Sequence, residues 1–479
     1  MNYSIIAYII GWILDLEAAL MVLPCITALI YRERSGTAFL ITMAVCLAIG
    51  VPLTMRSPKK RAFYAKEGYV TVALSWAALS IMGAIPFVIS GSIPNPVNAL
   101  FETVSGFTTT GASILDNVEA LPHCMLLWRS FTHWIGGMGV LVFVLAVLPL
   151  TGGYHMNIMK AESPGPSVSR LVPKVQSTAK ILYLMYIAMT LVEMILLLIA
   201  RMPLFDTLCL SFGTAGTGGF GILNDSIGSY TMLQQGIITV FMILFGVNFN
   251  IYYFILMKKF LQAFKVEELR YYLGVIAFSI IAISINIHGL FGNFFQAFHH
   301  AAFQVGSIIT TTGYSTVDFN QWPMFSKTIL VMLMFMGACA GSTGGGIKVS
   351  RFIILVKSVY KELVLYVHPN AVRKIQIDGK PVQHEVTRAT NIFMTVYVFL
   401  FGFSTLLISL DNFDFTTNFT AVAATINNIG PGLEAVGPAC NFAGFSIFSK
   451  LVLTFDMLAG RLELFPLLIL FFPRTWKKF

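Results

Sequence analysis

Long apolar runs alternate with shorter segments of mixed polarity along the whole chain. Runs of about 20 residues, enough to cross a bilayer core, lie near 4–30, 37–55, 69–89, 127–150, 180–200, 232–257, 271–291, 389–409 and 447–472, with an interrupted run over 327–340 and 351–357. This pattern predicts about ten spans. Four further segments, near 94–107, 203–213, 294–309 and 413–426, are too short to cross a core of roughly 30 Å. Helix-entry residues stand near the starts of three: Pro94 and Pro96, Pro203, and Asp411 with Asp414. These segments predict half-helices that enter the membrane and turn back.

Each half-helix runs into a similar turn. The turns read Thr108-Thr109-Thr110-Gly111, Gly216-Thr217-Gly218-Gly219, Thr310-Thr311-Thr312-Gly313 and, in degenerate form, Asn427-Asn428-Ile429-Gly430. Taking Gly111, Gly218, Gly313 and Gly430 as equivalent gives separations of 107, 95 and 117 residues. The repeating unit is span, half-span, turn, span. It divides the chain into two leading spans (1–62) and four repeats (63–150, 151–260, 261–360 and 361–479). Repeats one and three are most alike: Phe101 and Phe303 both stand ten residues before their glycine. Repeat four has drifted most.

Backbone that turns back inside a membrane cannot face lipid, because each unsatisfied group costs several kcal/mol. Four such turns satisfy this rule by converging on one axis. Each half-helix then aims its carboxyl end, the negative pole of its dipole, at the centre, which favours a cation there. Glycine supplies the backbone angles such a turn needs. Thr110, Thr217 and Thr312 can add carbonyl and hydroxyl oxygens, whereas Ile429 has no hydroxyl to offer. The expected fold class is an all-α polytopic membrane protein with four pseudo-symmetric membrane–pore-loop–membrane repeats around a central pore, preceded by two extra transmembrane helices.

Composition agrees. Hydrophobic residues make up 56% of the 479 positions and charged residues 11%, with mean hydropathy +0.78, against about 25% charged in soluble proteins. The first run carries Asp15 and Glu17 and lacks a basic start, so it does not read as a cleavable signal. No soluble domain is expected at either end. With the turns on one side of the membrane, most of the basic residues fall on the other: Arg56 to Lys66, Lys160 to Lys180, Lys258 to Arg270, Lys348 to Arg388, and Arg474 to Lys478. That side is therefore expected to be cytoplasmic, with both termini. Arg32 and Arg34 fall on the opposite side, softened by Glu33.

Residues 337–350 are rich in glycine within an apolar run. A phosphate-binding loop needs Gly-Lys-Ser/Thr, and Ile347 interrupts that order. A close helix-packing seam through Gly341 and Gly345 is one alternative. The other is a flexible loop that breaks the span in two. Arg461 stands out as the basic residue deep within a span, and either pairs with Glu463 or Asp456 or faces a wet cavity. Asp15, Glu17, Glu193 and Asp456 are further charges at membrane depth without an assigned role. His299 and His300 read as hydrogen-bonded scaffold, and Trp128, Trp134 and Trp322 as interfacial belt residues. The six cysteines lack metal-ligand spacing. No catalytic set is expected, and an enzyme is disfavoured. A carrier of organic solutes is disfavoured by four parallel breaks where that class uses inverted repeats and one or two.

The four turns, the two leading spans and Gly341-Ser342-Thr343-Gly344-Gly345-Gly346 resemble the Trk/Ktr/HKT superfamily of potassium transporters over the whole chain. The leading spans are more similar to its TrkH-like branch than to KtrB. The resemblance implies potassium uptake through a channel-like filter. Its ion-binding residues would be Thr110, Gly111, Thr217, Gly218, Thr312, Gly313, Ile429 and Gly430. Some plant relatives replace the first filter glycine by serine and pass sodium, and glycine at all four positions here resembles the potassium-selective pattern. It further implies a gate of Gly344, Gly345 and Gly346 beneath the filter, with Arg461 on the pore axis as a positive barrier. Potassium is the implied ion, with no organic cofactor and no other metal. The implied partners are membrane lipid, a second copy in a homodimer and a cytosolic nucleotide-binding subunit of the TrkA type, with no nucleic acid. Basic loops over 258–270 and 358–388 would offer that subunit a docking face. The implied location is a bacterial cytoplasmic membrane. A sodium-coupled symporter of the Ktr type is the alternative.

Overall fold

The computed structural model describes residues 1–56, 64–139, 175–371 and 373–477, the side chains of 175–177 excepted. The basic residues Lys59, Lys60, Arg61, Lys160, Arg170, Lys174 and Lys478, and the second half of the expected 127–150 span, lie outside them. The described chain is mostly helical, with almost no strand. Among the described residues six helical segments are long and apolar enough to cross a membrane: Tyr3–Tyr31, Gly36–Met55, Ala65–Ile89, Thr178–Ile199, Glu267–Leu290 and His384–Asp411. Among the described residues the strand content is one tight hairpin, Gln376–Ile377 with Lys380–Pro381, between the helices Val349–Val367 and His384–Ile408. Its turn residues Asp378 and Gly379 both have positive φ, 53° and 73°, as a two-residue hairpin connection requires.

Three expected spans are broken. The 232–257 run forms Met232–Phe245 and Phe249–Leu256, bent by 93°. The break falls at Gly246, Val247 and Asn248. A Cβ on Gly246 would stand 2.9 Å from Thr310 Cγ2, and Asn248 Oδ1 caps the second piece by accepting from the Asn250 N–H at 3.0 Å. The run after the third turn forms Met324–Met336 and Val349–Val367, separated by the glycine-rich loop. The 447–472 run is not one span, contrary to its hydropathy. Its helix stops at Arg461, and the consecutive left-handed residues Glu463 and Leu464 (φ 54° and 66°) redirect the chain into a short helix over Phe465–Leu468.

The four short helices are Pro96–Phe107, Leu204–Gly216, Phe294–Ile309 and Phe415–Ile426. Local chemistry starts them. Asn95 caps the first, with Pro96 at its first position; Pro203 precedes the second. Asn293 and Asp414 accept N–H bonds at 2.8 and 2.9 Å at the third and fourth. They occupy the centre of the molecule, buried among the longer helices. Trp128 is fully buried and donates its indole N–H to the Gly83 carbonyl at 3.1 Å, and Trp322 is 4% exposed. Both indoles are buried, so neither stands at a lipid surface as a belt residue.

Candidate functional site

All four short helices end in the same hydrogen-bonded cap. The N–H groups of Thr110, Gly218, Thr312 and Ile429 each bond to the carbonyl five residues back (Ser105, Gly213, Ser307 and Ala424), at 2.8 Å in every case. The residue inside each cap, Thr109, Thr217, Thr311 or Asn428, is left-handed, with φ between 53° and 59°. This is a Schellman-type ending, made with β-branched threonine at three of the four positions, where such angles are uncommon. Two residues later the chain is left-handed again, at Gly111, Gly219, Gly313 and Gly430 (φ 79°, 80°, 85° and 99°).

That repeated geometry corrects the register of the second turn. Gly219, not Gly218, holds the position of Gly111, Gly313 and Gly430. Gly218 corresponds to Thr110, Thr312 and Ile429, and Thr217 to Thr109 rather than Thr110. Gly218 is glycine for a different reason: a side chain there would collide with the ring of His133. That ring is buried, with Nδ1 2.7 Å from the Gly106 carbonyl and Nε2 accepting the Phe220 N–H at 3.2 Å.

The turns meet in a closed ring. A Cβ on Gly111 would collide with the Gly218 carbonyl oxygen, one on Gly219 with that of Thr312, and one on Gly313 with that of Ile429. The circuit closes at Gly430, where a Cβ would lie 2.7 Å from the Thr110 carbonyl oxygen. Above the ring opens a cavity of about 210 Å³, lined by all four of these glycines together with Asp116 and Arg129. The hydroxyls of Thr110 and Thr312 are turned to Thr108 and Thr310, at 2.8 and 2.7 Å. Thr217 donates its hydroxyl proton to the Gly216 carbonyl at 2.6 Å.

The glycine-rich stretch 337–348 is not helical, so it is no helix-packing seam. It lies against the inner ends of the third and fourth turns. Gly344 has no room for a Cβ, which would stand 2.8 Å from the Thr310 carbonyl oxygen, and one on Gly345 would stand 2.5 Å from that of Asn427. The Gly345 N–H donates to Thr311 Oγ1 at 2.6 Å. Gly346 (φ 77°) lies tight against Gly337, and the buried Lys348 ammonium donates to the Gly344 carbonyl.

Arg461 reaches the same place from the end of the helix Ile447–Arg461. Its guanidinium donates to the Thr343 carbonyl (3.0 Å), to Thr109 Oγ1 (3.2 Å), to the Gly137 carbonyl (2.8 Å) and to the Gly136 carbonyl. Glu463 forms an ion pair with Arg351, and Asp456 accepts from Ser404 at 2.7 Å. The half-buried Arg461 therefore ties the loop, the first turn and the end of the His123–Gly137 helix together.

Sequence reasoning missed one pair. Arg461 is not alone as a basic residue at depth. Arg129, 2% exposed, forms a 2.7 Å ion pair with the fully buried Glu102. Glu102 also accepts from Ser113 Oγ and the Ile114 N–H, both at 3.0 Å, just past the first turn. Arg129 stacks 4.0 Å over the Phe220 ring and donates to the Gly221 carbonyl at 3.3 Å, just past the second. The available signal was a carboxylate in one buried half-helix and a guanidinium in an apolar run, each too costly at that depth without the other. His299 and His300 are hydrogen-bonded scaffold, to Gln235 (2.7 Å) and Thr316 (2.9 Å). Among the described residues no group of three or more His, Cys, Asp and Glu could hold a metal ion.

Comparison with known proteins agrees with this architecture. A family described as TrkH, cation transport protein, matches residues 35–287 and 292–478. The chain is 37% identical to the Trk system potassium uptake proteins TrkH of Salmonella typhimurium and of Escherichia coli K12, over the full length of each. Its fold matches the crystal structure of the potassium transporter TrkH from Vibrio parahaemolyticus with a TM-score of 0.89, at 33% identity and complete coverage of both chains. This multi-pass membrane protein belongs to the TrkH cation transport family.

Proposed function

We propose that this chain takes up potassium ions through a central pore whose filter is the ring of four turns. The observation that carries the reading is the closed circuit in which the carbonyl of each turn lies against the glycine of the turn before it. Left-handed backbone at alternate residues through each turn lets successive carbonyls face the axis, where they replace the water shell of a cation. The carbonyls of Thr110, Gly218, Thr312 and Ile429 are the central ligands, and Gly111, Gly219, Gly313 and Gly430 let the four turns approach one another. The half-helix dipoles favour a cation at that point. The names of the Salmonella and Escherichia relatives give the substrate.

The glycine-rich loop is the inner gate, and Arg461 is its positive barrier. The chain sits in a bacterial cytoplasmic membrane with the turns facing out and the basic loops facing in. It works as a homodimer with a cytosolic nucleotide-binding subunit of the TrkA type on those loops. The test is potassium flux into liposomes containing the purified chain, beside potassium-dependent growth rescue of an uptake-deficient bacterium. Uptake that prefers potassium to sodium supports the reading; absence of cation flux in both settings overturns it.

A further inference from the structure

The left-handed residues of the four caps are equivalent in backbone but not in what their side chains hold. Thr217 bonds to the carbonyl of Gly216 within its own turn, and Asn428 donates to Thr110 Oγ1 and to the Met457 carbonyl, both at 2.9 Å. Thr109 and Thr311 differ from both. Thr109 accepts from the Arg461 guanidinium at 3.2 Å, and Thr311 accepts from the Gly345 backbone N–H at 2.6 Å. The ring runs first, second, third, fourth and back to first, so these two hydroxyls belong to opposite turns. One receives the arginine and the other the loop. Both are fully buried, and each stands one residue before a carbonyl of the ring.

We propose that the Thr109 and Thr311 hydroxyls are a two-point latch by which the closed gate grips the underside of the ring. This rests on the reading of residues 342–346 and Arg461 as a gate, and adds what holds that gate shut. Opening breaks the Arg461 bond to Thr109 and the Gly345 bond to Thr311. Because the grip falls on side-chain oxygens and not on the ring carbonyls, the gate leaves without pulling the ion ligands out of place. Both residues are therefore positioning residues for the gate.

The test uses the full chain in liposomes, with potassium and sodium flux scaled to folded transporter and melting temperature measured alongside. Thr109→Val and Thr311→Val keep the branched shape and remove the acceptor. Each is expected to raise resting potassium flux about three- to tenfold, the weight of one hydrogen bond, with the potassium-to-sodium ratio unchanged. Thr109→Ser and Thr311→Ser restore the hydroxyl and return flux towards the parent level. Thr454→Val, which removes a buried hydroxyl from the helix Ile447–Arg461 (bonded to the Lys450 carbonyl at 2.7 Å), leaves flux as it was. Thr109→Ala and Thr311→Ala repeat the measurement should the valine variants fail to fold. Parent-level flux in the acceptor-less variants, alongside raised flux on deleting residues 342–346, overturns the latch and leaves the gate standing. No rise on that deletion overturns the gate and the latch with it. A rise accompanied by a lower potassium-to-sodium ratio overturns the latch too, since the hydroxyls would then be shaping the filter.

Discussion

Glycine stands at two adjacent positions of the second turn for two separate reasons. Gly219 adopts φ 80° and packs against the Thr312 carbonyl oxygen, whereas Gly218 yields its side-chain space to His133. Gly218→Ala overpacks a buried ring and is expected to cost about 1–3 kcal/mol, read as a lower melting temperature. Gly219→Ala forces a Cβ into backbone that no rotamer change can move, so it is expected to disturb ion selection as well as stability. Sequence reasoning put the second turn one residue out of register, because Gly-Thr-Gly-Gly fits either alignment; the left-handed Thr217, matching Thr109 and Thr311, sets Gly219 as the equivalent glycine. Glu102 and Arg129 were missed for a related reason: their 27-residue separation carries no periodicity, and only the fold brings them together. Removing one partner leaves an uncompensated buried charge. Glu102→Gln or Arg129→Met is thus expected to lose about 3–5 kcal/mol of stability. Equal melting temperatures for parent and variants would show that the pair braces nothing.

At the scale of the element, helix ends were the most legible feature. The expected half-helix 294–309 matches the observed Phe294–Ile309 at both bounds, and that over 413–426 begins two residues late at Phe415. Proline and aspartate near their starts and glycine in the turns at their ends are local signals, so the chain shows them without its tertiary context; the left-handed threonines that close the caps are not such signals. Breaks inside apolar runs were less legible. The bend at Gly246–Asn248 and the stop after Arg461 depend on neighbours packed against them, and hydropathy is blind to both. The proposed gate lies at such breaks. Arg461 holds the loop through the Thr343 carbonyl and the first turn through Thr109. Arg461→Ala is expected to raise cation flux about tenfold or more, as one positive charge leaves a site where water is sparse. Flux per folded molecule is the readout; a destabilised variant with parent-level flux would contradict the barrier role. Deleting residues 342–346 is expected to raise resting flux in the same assay, and a folded deletion that conducts no better than the parent would leave the loop as packing.

The whole molecule is an arrangement of long helices that keeps four irregular turns away from lipid. Composition and run length made the membrane class legible, and the repeated turns made the four short helices legible. The closed circuit of carbonyls was not, because it depends on how residues roughly a hundred positions apart come to share one axis. The central claim is that this circuit selects potassium. The most direct test is the potassium-to-sodium flux ratio of Gly111→Ser and Gly313→Ser in liposomes, scaled to folded transporter. In each variant the new Cβ meets the neighbouring ring carbonyl, Gly218 or Ile429, and swings it from the axis. The account predicts a ratio lowered about tenfold, a loss of roughly 1.4 kcal/mol of discrimination, with conduction retained. An unchanged ratio in two folded, conducting variants would contradict it.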